Sequence, residues 1–320
     1  MKAASIVLVL LLGLGLPLAA QTDLEKATQL LKEKRLAEAQ VVLEQAAQAN
    51  PENIDVMELL GKVHLGLLDF SKAEAYASRA LLLDPNRASA HCLMAMAASN
   101  QIQQANVFKK LSLSKTVLAE FSRALELDPR NREAQEGLFQ VYCQAPAIAG
   151  GGLEKATALA ESSLKTDPAM GHVMRARLFA AGKDLGNAQA EYLLAVAADP
   201  GFAILYNELG YLELEMGQVD LAVGHFRKQV ALDSDNANAH DSLGDGLLAK
   251  GQIDEAIAAF RRCLVLAPDF APAVYHLGLA LERVGRMEEA MAEYQRAAAM
   301  PSSAGEVQLA KERLAALGRK

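Results

Sequence analysis

A short phrase, small residues around a bulky one closed by Leu-x-Pro or a near variant, recurs along this chain of 320 residues. Its closing residue falls at Pro51, Pro85, Pro129, Pro168, Pro200, Ser234 and Pro268, with spacings of 34, 44, 39, 32, 34 and 34. A fixed period between about 20 and 50 residues marks stacked supersecondary units, each too small to bury its apolar face alone. Such a chain offers other molecules a surface in place of one catalytic pocket.

The clearest copy lies between Ala237 and Ala267. With Pro268 as position 32, Leu243 and Gly244 take positions 7 and 8, Ala256 position 20, Phe260 position 24 and Cys263 position 27. The next copy places Leu277, Gly278, Ala290, Tyr294 and Ala297 in the same phase, and the preceding one Leu209, Gly210, Ala222, Phe226 and Val230. Earlier copies give Gly61, Ala73, Ala77 and Ala80; Val117, Phe121 and Ala124; Ala156, Ala160 and Ser163; and Ala176, Ala188, Tyr192 and Ala195.

Carried by these positions, the chain resembles the tetratricopeptide repeat family over about eight units after residue 22. The resemblance implies an all-α fold, a right-handed α-solenoid of about eight helix-turn-helix units with a C-terminal capping helix. The residues support it independently. Apolar spacing gives each unit two amphipathic helices, A and B. Small residues at positions 8, 20 and 27 allow close approach, and the bulky residue at position 24 fills the space they leave. Gly217, Gly251 and Gly285 follow helix A, where a left-handed residue commonly ends a helix, and a proline stops helix B.

The N-terminus departs from the repeat: Lys2, an apolar stretch from Ile6 to Leu18, then Leu-Ala-Ala before Gln21. This is the pattern of a secretory signal peptide cleaved after Ala20, with an uncleaved membrane anchor as the alternative. The apolar run is shorter than the roughly 20 residues of a spanning helix. Gln21 in place of cysteine argues against bacterial lipoprotein attachment. The expected protein is therefore exported; the Ala-Pro-x-Ile-Ala-Gly-Gly run at residues 145–151 resembles one found in some bacterial envelope tetratricopeptide proteins, which implies an exported bacterial repeat protein, periplasmic if the source is Gram-negative. The organisation is residues 1–20 as signal peptide, 21–303 as repeats, and 304–320 as capping helix and tail. Asp23 is a candidate N-cap for the first helix. Val307, Ala310, Leu314 and Leu317 share one face of the last.

Charge narrows the partners. The 32 basic and 39 acidic residues give a net charge of −7, against the basic face that nucleic acid requires. Nor does this balance favour an anionic membrane surface.

Three cysteines, Cys92, Cys143 and Cys263, are too few for a disulfide framework. Cys263 reads as a buried thiol, and a Cys92–Cys143 bridge stays open as a minor alternative. His91 and His240 sit at position 4 and His64 at position 11, where the family favours aromatics; His172, His225 and His276 stand singly on predicted helices. Packing or exposure accounts for them better than metal ligation. No nucleophile elbow, metal-protease motif or phosphate loop is present, Gly150-Gly151-Gly152 lacking the following Gly-Lys-Ser/Thr. No cofactor, metal or catalytic residue is expected, and the chain reads as a non-enzyme.

Two units are longer than the rest, the third between its helices at Asn100 to Thr116 and the fourth at Gln144 to Gly152. Insertions at equivalent points emerge on one edge, so the two should be neighbours. Phe108, Lys109, Lys110, Pro146 and Ile148 would form a secondary docking edge there; neutral loop growth or extension of the flanking helices is the alternative.

The family resemblance implies a concave face lined by helix A at positions 2, 5, 9 and 12. Those positions carry Glu133, Glu136 and Gln140; Asn207 and Tyr211; Asn238, Asp241 and Asp245; and Tyr275 and Glu282. Only Lys62 and Arg177 are basic there, against the carboxylate clamp of some family members. An acidic and aromatic face suits a neutral or basic peptide. The expected function is a non-enzymatic scaffold of the bacterial cell envelope that binds a polypeptide partner. A self-assembling structural component is the alternative, leaving a homo-oligomer open.

Overall fold

The computed structural model describes residues 18–102, 105–302 and 304–318, with side chains from Thr22 onward. Among the described residues there are seventeen α-helices and no strand. The signal-peptide reading falls largely on residues 1–17, outside the described set; Leu18, Ala19 and Ala20 lie in the first turn of α1. No helix of the described residues is long and apolar enough to cross a membrane.

The chain divides into two compact units, Met1–Ala156 and Thr157–Lys320. In the first, α1 (Leu18–Lys32) and α2 (Leu36–Ala49), α3 (Ile54–Gly66) and α4 (Phe70–Leu83), and α5 (Ala88–Gln101) and α6 (Val107–Leu127) form hairpins, followed by α7 (Arg132–Gln144). The division falls inside α8 (Leu153–Thr166). The second holds the hairpins α9 (Pro168–Ala181) and α10 (Leu185–Ala198), α11 (Ala203–Glu215) and α12 (Val219–Leu232), α13 (Ala237–Lys250) and α14 (Ile253–Leu266), and α15 (Ala271–Arg283) and α16 (Met287–Ala298). It ends with α17 (Gly305–Leu317). Odd-numbered helices up to α15 are the A helices.

Small-to-large pairing sets the distance between A and B. A Cβ built on Gly210 would stand 2.5 Å from Phe226, on Gly244 2.4 Å from Phe260, and on Gly278 2.7 Å from Tyr294. These three rings are fully buried. Ala256, Ala290, Ala222 and Cys263 are likewise buried completely, so positions 20 and 27 act as spacers. In the sixth repeat the spacer at position 27 is Gln229, not Val230: Gln229 is buried, and its Oε1 accepts from Asn207 Nδ2 at 3.1 Å.

Asn and Asp side chains start many helices by accepting from a backbone N–H of the first turn. Asn53 caps α3 through Val56, Asp69 caps α4 through Lys72, and Asn131 caps α7 through Ala134. Asp23 has no such role, because α1 begins at Leu18 and carries Asp23 in its interior. Gly217, Gly251 and Gly285 end their A helices at φ 74°, 82° and 78°. Lys34, Leu68 and Lys183 hold the same left-handed turn without glycine, at φ 57°, 61° and 63°. Val307 and Ala310 of the capping helix α17 are buried, Ala310 within the core cluster of the last repeats, with Leu314 and Leu317 packed on that cluster.

Candidate functional site

The third repeat is long because its B helix is long. Asn106 accepts from Lys109 N at 3.0 Å and starts α6 four residues after the Ile102 cap of α5, so α6 runs for 21 residues. The excess at Asn100 to Thr116 is therefore mostly helix, the alternative of an extended flanking helix in place of a docking loop, and Phe108, Lys109 and Lys110 lie in the first turn of α6. In the fourth repeat the excess remains a loop, with one 3-10 turn at Ala147–Ala149. Gly150, at φ 94°, presses it against α6: a Cβ there would meet Leu118 at 2.2 Å. The two long segments are neighbours.

Between α5, α6, α7 and this loop lies a cleft of about 660 Å³. Its floor is apolar, from Met96, Val117, Phe121, Val141 and Ala149, with Pro146 at one end. Gly137 admits Phe121 beneath α7, since a Cβ at Gly137 would stand 2.2 Å from the ring. Glu133, Glu136 and Gln140 border the cleft on successive turns of α7. Lys62 reaches Glu133 at 3.2 Å across two repeats, and Gln140 Nε2 donates to Glu136 at 2.7 Å.

The edge residues are divided. Pro146 borders this cleft, while Lys109 borders a polar hollow of about 390 Å³ with Leu68, Asp69 and Gln101. Phe108 and Ile148 are 89% and 84% exposed and Lys110 is also exposed; none of the three lines either cavity.

In the second unit the A-helix residues are bonded mainly to one another. Asn207 Nδ2 donates to Ser242 Oγ at 2.7 Å. The Tyr211 hydroxyl donates to Asp245 Oδ2 at 3.0 Å and lies 3.1 Å from Ser242 Oγ. Asp241 is only 4% exposed. Tyr275 packs with Tyr294 at 5.8 Å between centroids, and Glu282 accepts from Arg313 of α17 and from the Tyr294 hydroxyl. Asn238 uses its carbonyl to accept from Ser242. Burial, then the Asp245 carboxylate, pushes the Tyr211 phenol above its ordinary range. Both basic residues of the A-helix face are occupied: Lys62 by Glu133, and Arg177 by Glu208 in a two-pronged contact at 2.6 and 2.9 Å.

The histidines acquire partners that single positions did not reveal. At position 4, His91 and His240 turn Nε2 to the carbonyls of Pro85 and Ser234, six residues back, at 3.0 and 2.8 Å. Gln135 and Tyr206 make the same bond to Pro129 and Pro200. Position 4 thus ties helix A to its preceding turn. His172 pairs with Glu191 and His225 with Glu213, each at 2.7 Å. His64 stacks on Tyr76 at 5.5 Å. His276 Nδ1 faces Asp241 Oδ1 at 3.3 Å and Asp245 Oδ1 at 3.1 Å, so it does not stand alone. Burial holds the Asp245 carboxyl up at about 6, with Asp241 adding to the rise and His276 opposing it.

No disulfide joins Cys92 and Cys143; Cys92 and Cys263 are buried thiols and Cys143 is exposed. Burial pushes Cys92 to about 12, assisted by Glu133, and burial likewise pushes Cys263 to about 12. Neither is poised as a thiolate nucleophile at neutral pH.

Tetratricopeptide repeat family models match residues 242–315 and 30–97. A DnaJ homolog subfamily C member 7 homolog of Schizosaccharomyces pombe is 26% identical over 199 residues, covering 60% of this chain and 41% of the relative. The chain thus spans less than half the length of that curated relative. Among solved structures, the crystal structure of the APC/C hetero-tetramer Cut9-Hcn1 superposes with a TM-score of 0.56 at 17% identity, covering 91% of this chain and 55% of that one. A thermophilic TPR protein of Thermus thermophilus covers 82% of this chain and 99% of its own at 16% identity, with a TM-score of 0.36. The two matched segments are similar to tetratricopeptide repeats, and the first structural neighbour shares the all-α helical-repeat fold.

Proposed function

We propose that this protein is a non-enzymatic scaffold whose first unit binds a polypeptide partner in the α5–α7 cleft. Tetratricopeptide repeats generally mediate protein–protein interaction, and the two segments similar to them support that class here. The observation that carries the proposal is the cleft itself, an apolar floor bordered by Glu133, Glu136 and Gln140. Its size is in the range of sites that take a few side chains. An apolar side chain would enter beside Phe121, and the acidic border favours a neutral or basic segment over an acidic one. Lys62 leaves less net charge at Glu133, so apolar burial supplies the affinity and the carboxylates supply selection.

Ser99→Trp should fill the cleft from the α5 side without touching the buried core. Partner retention on immobilised protein should then fall by tenfold or more while the circular dichroism spectrum is unchanged; full retention would refute the cleft as the binding surface. The sequence pattern at residues 1–20 further supports export, with a bacterial cell envelope as the proposed destination. Mass spectrometry of the chain from its native cells should find Gln21 at the N-terminus, and an intact residue 1 would refute cleavage.

A further inference from the structure

Two acids and a histidine from adjacent repeats converge in the second unit. Asp241 and Asp245 sit one turn apart on α13, and His276 reaches them from α15. One ligand atom from each lies within 4.8 Å of the other two. Both carboxylates address the same nitrogen, Nδ1, at 3.3 and 3.1 Å. Ligand atoms bound about 2.1 Å from one ion lie roughly 3.0–3.4 Å apart, the octahedral and tetrahedral edges. The two separations from Nδ1 fall in that interval, and the carboxylate oxygens lie within 4.8 Å of each other.

Burial and charge point the same way. The side chains of Asp241, Asp245 and His276 are 6%, 21% and 20% exposed, so the group is largely desolvated but reachable from one side. Two carboxylates and one imidazole make up the donor set, a combination that suits a divalent cation. The surroundings hold the donors in place. Tyr211 occupies Asp245 Oδ2 at 3.0 Å and leaves Oδ1 directed at the group. Phe260 and Tyr275, with centroids 5.6 and 5.8 Å from the imidazole, fix the ring so that Nδ1 faces the acids. An outer contact that orients a ligand in this way is typical of metal sites.

We infer that Asp241, Asp245 and His276 form a binding site for a divalent transition ion of the zinc class, which ties the seventh repeat to the eighth. This goes beyond the peptide-binding reading and does not depend on it, since the cleft lies in the other unit. The nitrogen ligand with two carboxylate oxygens suits zinc or cobalt better than calcium, which takes six to eight oxygens.

The test uses untagged full-length chain stripped with chelator and titrated with Co²⁺. One equivalent should bind with a visible d–d band, be displaced by Zn²⁺, and raise the thermal midpoint as a ligand selective for the folded state must. His276→Gln and Asp245→Asn should each weaken binding at least tenfold, and Tyr211→Phe, which keeps all three ligands, by about tenfold. The band on the unaltered chain provides a readout even where a variant fails to fold. No band and no midpoint shift at 1 mM ion would overturn the site. So would a thiolate charge-transfer band, or binding that His276→Gln leaves intact in a folded protein.

Discussion

Two chemically identical substitutions should change stability in opposite directions if the glycine–aromatic pairing sets the A–B spacing. In Gly244→Ala the new methyl would lie 2.4 Å from Phe260 Cε1, 2.6 Å from Cδ1 and 2.7 Å from Cζ. Carbon contacts settle near 3.5–4.0 Å, so the ring must retreat by about 1 Å. Phe260 is fully buried. Overpacking of this kind costs about 1–3 kcal/mol, against a gain of about 1 kcal/mol from replacing glycine inside a helix. The net expectation is a loss of roughly 0–2 kcal/mol, the overpacking range less the propensity gain. Gly224→Ala, in α12, meets nothing within 4 Å and should keep the propensity gain alone, about 0.5–1 kcal/mol of stabilisation. Urea unfolding followed by circular dichroism measures both, read as a shift in midpoint at constant slope. Phe260→Leu in the Gly244→Ala background should recover part of the loss, with a coupling above about 0.5 kcal/mol. Equal effects of the two alanines, or a stabilised Gly244→Ala, would refute the reasoning.

Further outcomes follow from single sites. Gly251→Ala, at φ 82°, should destabilise by about 1 kcal/mol or more, whereas Lys183→Gly, at φ 63°, should stabilise slightly, both by thermal melts. His240→Ala strands the Ser234 carbonyl and should cost about 1–3 kcal/mol, while His240→Tyr should restore most of it, as Tyr206 makes the equivalent bond. Burial, then Lys72, holds His64 below the ordinary histidine range, with Asp69 opposing. The folded state then refuses a proton that the unfolded state accepts, so the first unit should lose stability as pH falls below about 6.5. His64→Phe, which keeps the stack on Tyr76, should flatten that pH profile between 7 and 5; an unchanged slope would contradict the assignment.

The repeat architecture was legible because its signal is distributed: glycine at position 8, an aromatic at 24 and alanine at 20 and 27 are each weak, but they recur in phase. The N-terminal boundary was less so, because the helix propensity of Leu18 to Gln21 carries α1 past Asp23, which lone capping chemistry marks as a start. The insertion at Asn100 to Thr116 read as a loop by counting against the standard unit. Yet Asn106 is a good N-cap, and nothing between Val107 and Val117 breaks a helix, so the surplus winds into α6.

The partners of His276 were hidden for a different reason. Side chains on successive A helices meet one period apart, so His276 finds Asp241 at a separation of 35 residues, as Asn207 finds Ser242. Tyr211 finds Asp245 at 34 and Arg177 finds Glu208 at 31. Reading charges along one helix at a time misses this; reading them down the repeat register would have found it. The same bonds explain why the expected binding face is uneven. In the second unit Asp241 and Glu282 satisfy neighbouring repeats, whereas Glu133, Glu136 and Gln140 border open volume.

The central claim, a polypeptide held in the α5–α7 cleft, is tested most directly by photo-crosslinking in the native cells. A photoreactive residue replaces Gln140 at the cleft border, or Leu82, which is 82% exposed on α4, as the control. The account predicts a discrete adduct of defined mass from Gln140, absent from Leu82 and abolished by Ser99→Trp. Equal adducts from both positions, or none from Gln140 with the chain folded and expressed, would contradict it.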